Sequence, residues 1–258
     1  MFLPTTIKEV RALGWDYIDV ILFTGDAYID HPAFGAAVIG RLLEAEGYRV
    51  AIVPQPNWRD DLRDFTKLGA PRLFFGVSAG AMDSMVNHYT ANIRLRSNDA
   101  YTAGGKAGFR PDYAATVYCQ ILKRLYPHVP VVVGGIEASL RRLTHYDYWS
   151  DKLKPSMLIE SGADLLIYGM GERVVQQVAK AMRNGYNAKL LRKINQVAFV
   201  ADSSYVERLD PATTKILHSF EECQQDKRAF GENFVEEELL SNVMEPTTTL
   251  VEQVGEKY

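Results

Sequence analysis

The chain has 258 residues, 47% of them hydrophobic, and a formal net charge of -3. That length allows one large domain or one domain with an appendage, and the apolar fraction is ordinary for a protein with a sizeable core. The slight acidity gives no reason to expect nucleic acid or an anionic membrane as partner, and no apolar run approaches the roughly 20 residues that a spanning helix needs. The first residues, MFLPTTIKEVRALGW, lack the basic and then apolar pattern of a secretory signal, so the cytoplasm is the expected location.

Residues 1–17 read as a lead-in, with Thr5 or Thr6 capping a short helix over 7–13. The first strand is expected over 18–24, around the apolar run Val20, Ile21, Leu22 and Phe23. It turns through Thr24, Gly25 and Asp26 into a helix that begins near Pro32 or Ala33 and stops at Gly47. Strand, glycine turn and amphipathic helix form the opening unit of a parallel α/β sheet. Further strands are predicted over 48–53, 72–77, 129–133 and 163–168, with an edge candidate over 196–200. Helices are predicted over 59–68, 112–125 and 173–184, and a helical turn over 139–143. The stretch SNDAYTAGGKAGFRPD has no apolar period and reads as an exposed loop, and 145–151 reads as a polar, aromatic loop that packs under a lid or forms a contact surface.

The pattern predicts an open, mainly parallel α/β sheet of about five strands, Rossmann-like or flavodoxin-like. Polar residues dominate beyond Asp202, and TTTLVEQVGEKY stops without a closing signal. The expected organisation is an α/β domain over 1–200 and an extension or linker over 201–258, in a chain cut inside a longer protein.

The small and polar residues of interest stand just after strands: Gly25 and Asp26 with His31, Ser78 with Asp83, Gly134 and Gly135 with Glu137, and Gly169 with Glu172. Glycines let a ligand approach the backbone, and helix N-termini offer N–H groups to its anionic parts. A strand order of 2-1-3-4-5 would place the switch point between the first and third strands. Gly25, Asp26 and His31 would then face Ser78 and Asp83, with Gly134, Gly135, Glu137, Gly169 and Glu172 along the rim. These ten residues are the expected cofactor-binding set; no catalytic residue and no metal ligand is assigned.

Two local patterns point to other chemistry. Residues 76–80, GVSAG, match the nucleophile elbow of a serine hydrolase using Ser78, with Asp147 or Asp164 and His218 completing the order; the alternative is a tight turn of small residues. Asp26, Asp30 and His31 fit either a metal or general-base role or a helix cap on a solvated loop. No G-x-G-x-x-G follows the first strand, and there is no Walker lysine motif. Cys119 and Cys223 are too far apart for a metal knuckle, and Cys119 lies on the apolar face of a predicted helix.

The strings TGDAYIDHPAFGAAVIGRLLEAEGYRVAIVPQPNW, LFFGVSAGAMDSMVNHYTA, VVVGGIEASLRRLTHYDYWSD and ADLLIYGMGER resemble the N-terminal region of the YgiQ-type radical SAM proteins, over most of residues 4–250. The resemblance implies an accessory domain that helps enclose substrate over a radical SAM barrel of the same polypeptide. That barrel would hold a [4Fe-4S] cluster through Cys-x-x-x-Cys-x-x-Cys and cleave S-adenosylmethionine. This chain has no such motif, so the barrel is expected beyond Tyr258 and the fragment alone is expected to show no turnover. The region is also similar, more loosely, to cobalamin-binding domains: 31–35, HPAFG, Gly134-Gly135 and Gly169-Met170-Gly171-Glu172 take the places of their loops. The His-x-x-Gly that supplies a lower cobalt ligand in some of them is absent, because His31 to Gly35 is one residue too long. The likeness therefore implies a vestigial or differently specialised relative, with cobalamin binding as the alternative.

Overall fold

The computed structural model describes residues 2–29, 34–185, 187–241 and 247–258, the side chains of 188–190 aside. In chain order the elements are α1 (Ile7–Ala12), β1 (Val20–Thr24), α2 (Gly35–Ala45), β2 (Val50–Pro54), α3 (Arg63–Thr66), β3 (Phe74–Ser78), α4 (Ser84–His88), α5 (Ala114–Leu125), β4 (Val131–Gly134) and α6 (Ile136–Leu140). They continue through β5 (His145–Asp147), β6 (Lys152–Lys154), α7 (Met157–Ser161), β7 (Leu165–Ile167), α8 (Glu172–Arg183), β8 (Val197–Ala198), α9 (Ser203–Val206), β9 (Thr214–Ile216), α10 (Phe220–Gln225), α11 (Lys227–Ser241) and β10 (Thr249–Val251). The chain divides into two units: residues 1–142 with 157–199, and residues 143–156 with 200–258.

The first unit is built on a six-stranded sheet in the order β2-β1-β3-β4-β7-β8. The five strands from β2 to β7 are parallel, and β8 adds an antiparallel edge. This is the flavodoxin-like arrangement expected from the alternation of apolar runs and amphipathic segments, with its switch point between β1 and β3. Their apolar composition follows from burial on both faces. Val20, Leu22, Val50, Ile52, Phe74, Val132 and Leu165 pack on one face, with Leu43 of α2 and Val174, Val178 and Met182 of α8. The other face carries aromatics. Phe23 stacks on Phe65 of α3 at 5.2 Å, Phe65 meets Tyr118 of α5 at 5.8 Å, and Phe75 meets Tyr126 at 5.1 Å.

Pairing register brings Thr24, Pro54 and Ser78 into one row at the carboxyl edge, and sets Gly134 level with Ile167. Ser78 and Gly134 end strands at this edge, and the connections that leave it carry Gly25, Asp26, Asp83, Gly135, Glu137, Gly169 and Glu172.

Two expectations fail in detail. The 97–112 stretch is not an exposed loop throughout: Asp99, Thr102 and Arg110 are buried. Residues 145–151 are not a plain loop either. They form the first strand and turn of the antiparallel β5–β6 hairpin in the second unit. Period arguments see only apolar spacing, and both segments are held by polar side chains.

Among the described residues, the second unit carries this hairpin, a parallel β9–β10 pair and the helices α9, α10 and α11. Asn233 of α11 grips residue 218 at both backbone groups, its Oδ1 accepting from His218 N at 2.8 Å and its Nδ2 donating to His218 O at 2.9 Å. Glu252 is buried and accepts from the Thr144 backbone N–H at 2.9 Å. Among the described residues, no helix is long and apolar enough to cross a membrane.

Candidate functional site

The carboxyl edge of the first unit's sheet gathers Gly25, Asp26, Ser78, Asp83, Gly134, Gly135 and Glu137 on the connections that leave β1, β3 and β4. Gly169 and Glu172 stand on the next connection, after β7. His31 and Asp30 lie outside the described residues.

At the switch point the two facing connections close on each other. Gly25 donates to Ser78 O at 3.2 Å, and a Cβ at Gly25 would sit 2.0 Å from the Ala79 carbonyl oxygen. Gly80, at φ +114, is held so closely that a Cβ there would lie 2.1 Å from an Asp26 carboxylate oxygen. Glycine is required at both positions by protein packed against protein. The Asp26 carboxylate also accepts from Ala81 N at 2.7 Å.

Arg110 seals this junction. Its side chain is fully buried, and its guanidinium meets Asp26 at 3.1 Å and Asp99 at 2.9 Å. It also donates to Ala79 O at 3.0 Å. A planar guanidinium satisfies two carboxylates and a carbonyl at once, which a lysine could not do from one point charge. The network ties the 89–113 crossover down over the sheet edge, helped by Ala27 N donating to Tyr101 O at 2.9 Å and Gln55 Nε2 donating to Thr102 Oγ1 at 2.8 Å.

Asp83 caps α4, accepting from Met85 N at 2.9 Å and Val86 N at 3.2 Å, and pairs with the buried Arg141. Glu137 is wholly buried, and its two oxygens accept from Ser84 N at 2.8 Å and Ala115 N at 2.9 Å. One carboxylate thus serves the N-termini of α4 and α5, where backbone N–H groups lack helical partners. Burial pushes the Glu137 carboxyl above its ordinary range, Arg141 opposes this and Asp83 adds to it.

The turns after β4 and β7 are linked through Ser139. Its hydroxyl donates to Gly135 O at 2.8 Å and accepts from Gly169 N at 3.0 Å. Gly135, at φ +88, brings its backbone against Ser78, where an added Cβ would lie 3.4 Å from the serine Cβ. Glu172 opens α8, where a negative charge favours the helix terminus.

The geometry supplies no hydrolase relay at Ser78. The residue ends β3 and is not among the described residues with positive φ, and the next helix begins only at Ser84, so the strained strand–turn–helix elbow is not formed. Asp164 pairs with Lys123 at 3.0 Å and accepts from Val131 N at 2.8 Å, at the opposite end of the sheet. His88 is bonded to Asp112, and His218 to Glu232.

Nor does this chain fit the cluster that the resemblance implies. Cys119 and Cys223 are both buried, and burial pushes the thiol of Cys119 up and that of Cys223 up to about 11, away from the thiolate form a cluster needs. Among the described residues no group of three His, Cys, Asp or Glu is placed to hold a metal ion. Among the described residues, the connections after β1 and β3, between which a cobalamin-like ligand would enter, close on each other through the Gly25–Ala79 and Gly80–Asp26 contacts and Arg110. The residues present there do not fit such a ligand.

Arg110, Asp99, Arg141 and Ser139 escape sequence reasoning. Their only signal is a lone charge or hydroxyl inside a glycine-rich or helical segment, and their long-range partners are 11 to 84 positions away.

The fold and this braced carboxyl edge define a doubly wound α/β domain with no cluster ligands of its own among the described residues. A family profile described as Radical SAM N-terminal matches residues 2–258, and the chain belongs to that family. It is 60% identical to a UPF0313 protein of Porphyromonas gingivalis, over 99% of this chain and 40% of that protein. It is 48% identical to a UPF0313 protein of Thermotoga maritima, over 90% of this chain and 40% of that one. The chain thus spans about two fifths of the length of these curated relatives. Among solved structures it is similar to TsrM of Kitasatospora setae, a radical S-adenosylmethionine methyltransferase, at 18% identity and a TM-score of 0.45, over 72% of this chain and 28% of that one. TsrM has also been solved with cobalamin and a [4Fe-4S] cluster bound.

Proposed function

We propose that this chain is the accessory N-terminal domain of a radical SAM, iron–sulfur-dependent enzyme and that it performs no turnover alone. The [4Fe-4S] cluster and S-adenosylmethionine would be held by a radical SAM domain elsewhere in the same polypeptide. The carboxyl edge of this domain would help to enclose the substrate. One observation carries the reading: the Radical SAM N-terminal profile runs along residues 2–258, whereas the chain offers two buried cysteines and no cluster motif. The 40% share of the relatives' length leaves room for the domain that would hold the cluster. In this reading Arg110, Asp83, Arg141 and Glu137 hold the edge rigid, and Gly135 lets the turn after β4 pack against Ser78.

The test is anaerobic reconstitution of the full-length polypeptide and of residues 1–258 with iron and sulfide, followed by electron paramagnetic resonance and an assay of S-adenosylmethionine consumption under reducing conditions. The full-length protein should show a reduced [4Fe-4S] signal and consume S-adenosylmethionine, and the 258-residue chain should do neither. A full-length protein without cluster or consumption would refute the reading.

A further inference from the structure

The exposed apolar side chains of the first unit are unevenly placed. Apart from Phe2 and Ile7 in the lead-in, every exposed large hydrophobic described in that unit lies between the carboxyl end of a strand and the last helix of the crossover that follows it. Val86, Leu95 and Phe109 follow β3, Ile136 and Leu140 follow β4, and Met170 follows β7. The stretches between that last helix and the amino end of the next strand carry none among the described residues.

Two of these turns are fastened to each other by the Ser139 link. That hydroxyl holds the turn after β4 to the turn after β7, and so places Ile136, Leu140 and Met170 on two fastened turns, 44%, 59% and 75% exposed. Arg142 adds a bond to Ser139 O at 2.6 Å and lies over the Tyr168 ring at 5.1 Å. Large apolar side chains held rigid in water mark surfaces that another body covers. The crevice beside them is sealed by Arg110, so the body that fits is a protein surface, not a small cofactor entering between the strands.

We infer that the carboxyl edge, centred on Ile136, Leu140 and Met170, is the face on which the rest of the same polypeptide docks. The inference rests on the accessory-domain reading, and the occupant follows from length. In the relatives the matched region is 40% of the protein, so a body larger than this chain accompanies it.

The experiment uses the full-length polypeptide. Leu140→Cys, Met170→Cys and, at the amino edge, the exposed control Glu46→Cys are labelled with a soluble maleimide, and each site is followed by peptide-resolved mass spectrometry. Docking predicts that positions 140 and 170 react roughly tenfold or more slowly than position 46, as sites that must open before they react. Equal rates at all three positions overturn the inference. Protection that disappears on dilution, together with dissociation of a dimer, assigns the face to a second copy and also overturns it. A Leu140→Asp, Met170→Asp double variant gives an independent readout, since it should speed proteolysis between the two parts of the full-length protein. Slow labelling in a polypeptide that consumes no S-adenosylmethionine would uphold the docking face and remove the radical SAM reading.

Discussion

Replacing Arg110 by methionine should loosen the whole carboxyl edge. The substitution keeps an apolar stem but leaves the Asp99 and Asp26 side chains, 1% and 6% exposed, without their shared counter-charge. Removing one partner of a buried ion pair costs about 3–5 kcal/mol, because the remaining charge is stranded in a poor solvent. Some of this is offset here, since Asp99 still accepts from Tyr101 N at 2.9 Å and Asp26 from Ala81 N at 2.7 Å. The Ala79 carbonyl loses a charged donor in addition. A net loss of about 4 kcal/mol is expected, or roughly 10 °C in melting temperature for a chain of this size. Urea unfolding of the 258-residue chain measures the loss, and amide exchange at Ala27, which donates to Tyr101 O, reports whether the crossover has lifted. Asp26→Asn with Asp99→Asn in the Arg110→Met background should recover at least about 2 kcal/mol, because no charge is then left buried. An Arg110→Met protein within about 1 kcal/mol of wild type, with unchanged exchange at Ala27, would show that the network does not brace the edge.

Other substitutions test the remaining parts. Gly80→Ala should cost about 2–3 kcal/mol by thermal melting, since its φ of +114 disfavours alanine and the methyl would meet the Asp26 carboxylate at 2.1 Å. Glu137→Ala leaves two buried helix-terminal N–H groups without an acceptor and should cost about 3 kcal/mol; Glu137→Gln keeps one acceptor and should cost about half as much. Glu252 has a carboxyl raised to about 7, chiefly by burial and against its bonds to Thr144. Between the ordinary carboxylate range and that value the folded state binds the proton more tightly than the unfolded state, so this contribution is full at acid pH and is lost as pH rises toward 7. Glu252→Gln should therefore match wild type near pH 4 and exceed it by on the order of 2–3 kcal/mol at pH 8, as followed by denaturation across pH. Activated esters should not be turned over by the chain, and Ser78→Ala should change nothing; turnover lost in that variant would restore the hydrolase reading.

The order of elements and the parallel sheet were legible from the sequence because burial on two faces forces near-continuous apolar strands. The runs at Val20, Val50, Phe74, Val131 and Leu165 report that directly. Strands begin one or two residues later than expected, and β2, β3 and β4 end one residue later, since a polar residue such as Ser78 still pairs in the ladder. The location of interest was legible too, because glycines and charges cluster where strands end in any such fold. Whether those residues face a ligand or each other was not. Asp26, Asp83 and Glu137 look alike as carboxylates beside glycine turns. Only the folded chain assigns the first to Arg110, the second to Arg141 and its own helix, and the third to two helix N-termini.

What the sequence determined alone is the repeating unit, apolar strand, small-residue turn and amphipathic helix, because that pattern depends on neighbours within a few positions. What tertiary structure decided is the use of the edge. Arg110 reaches Ala79 across 31 positions, and Arg141 reaches Asp83 across 58. Contacts at such separations leave no local period, since they are set by where the crossover lands after the sheet has formed. The physical reason is that hydrophobic patterning specifies faces, whereas the pairing of buried charges depends on distance in space alone.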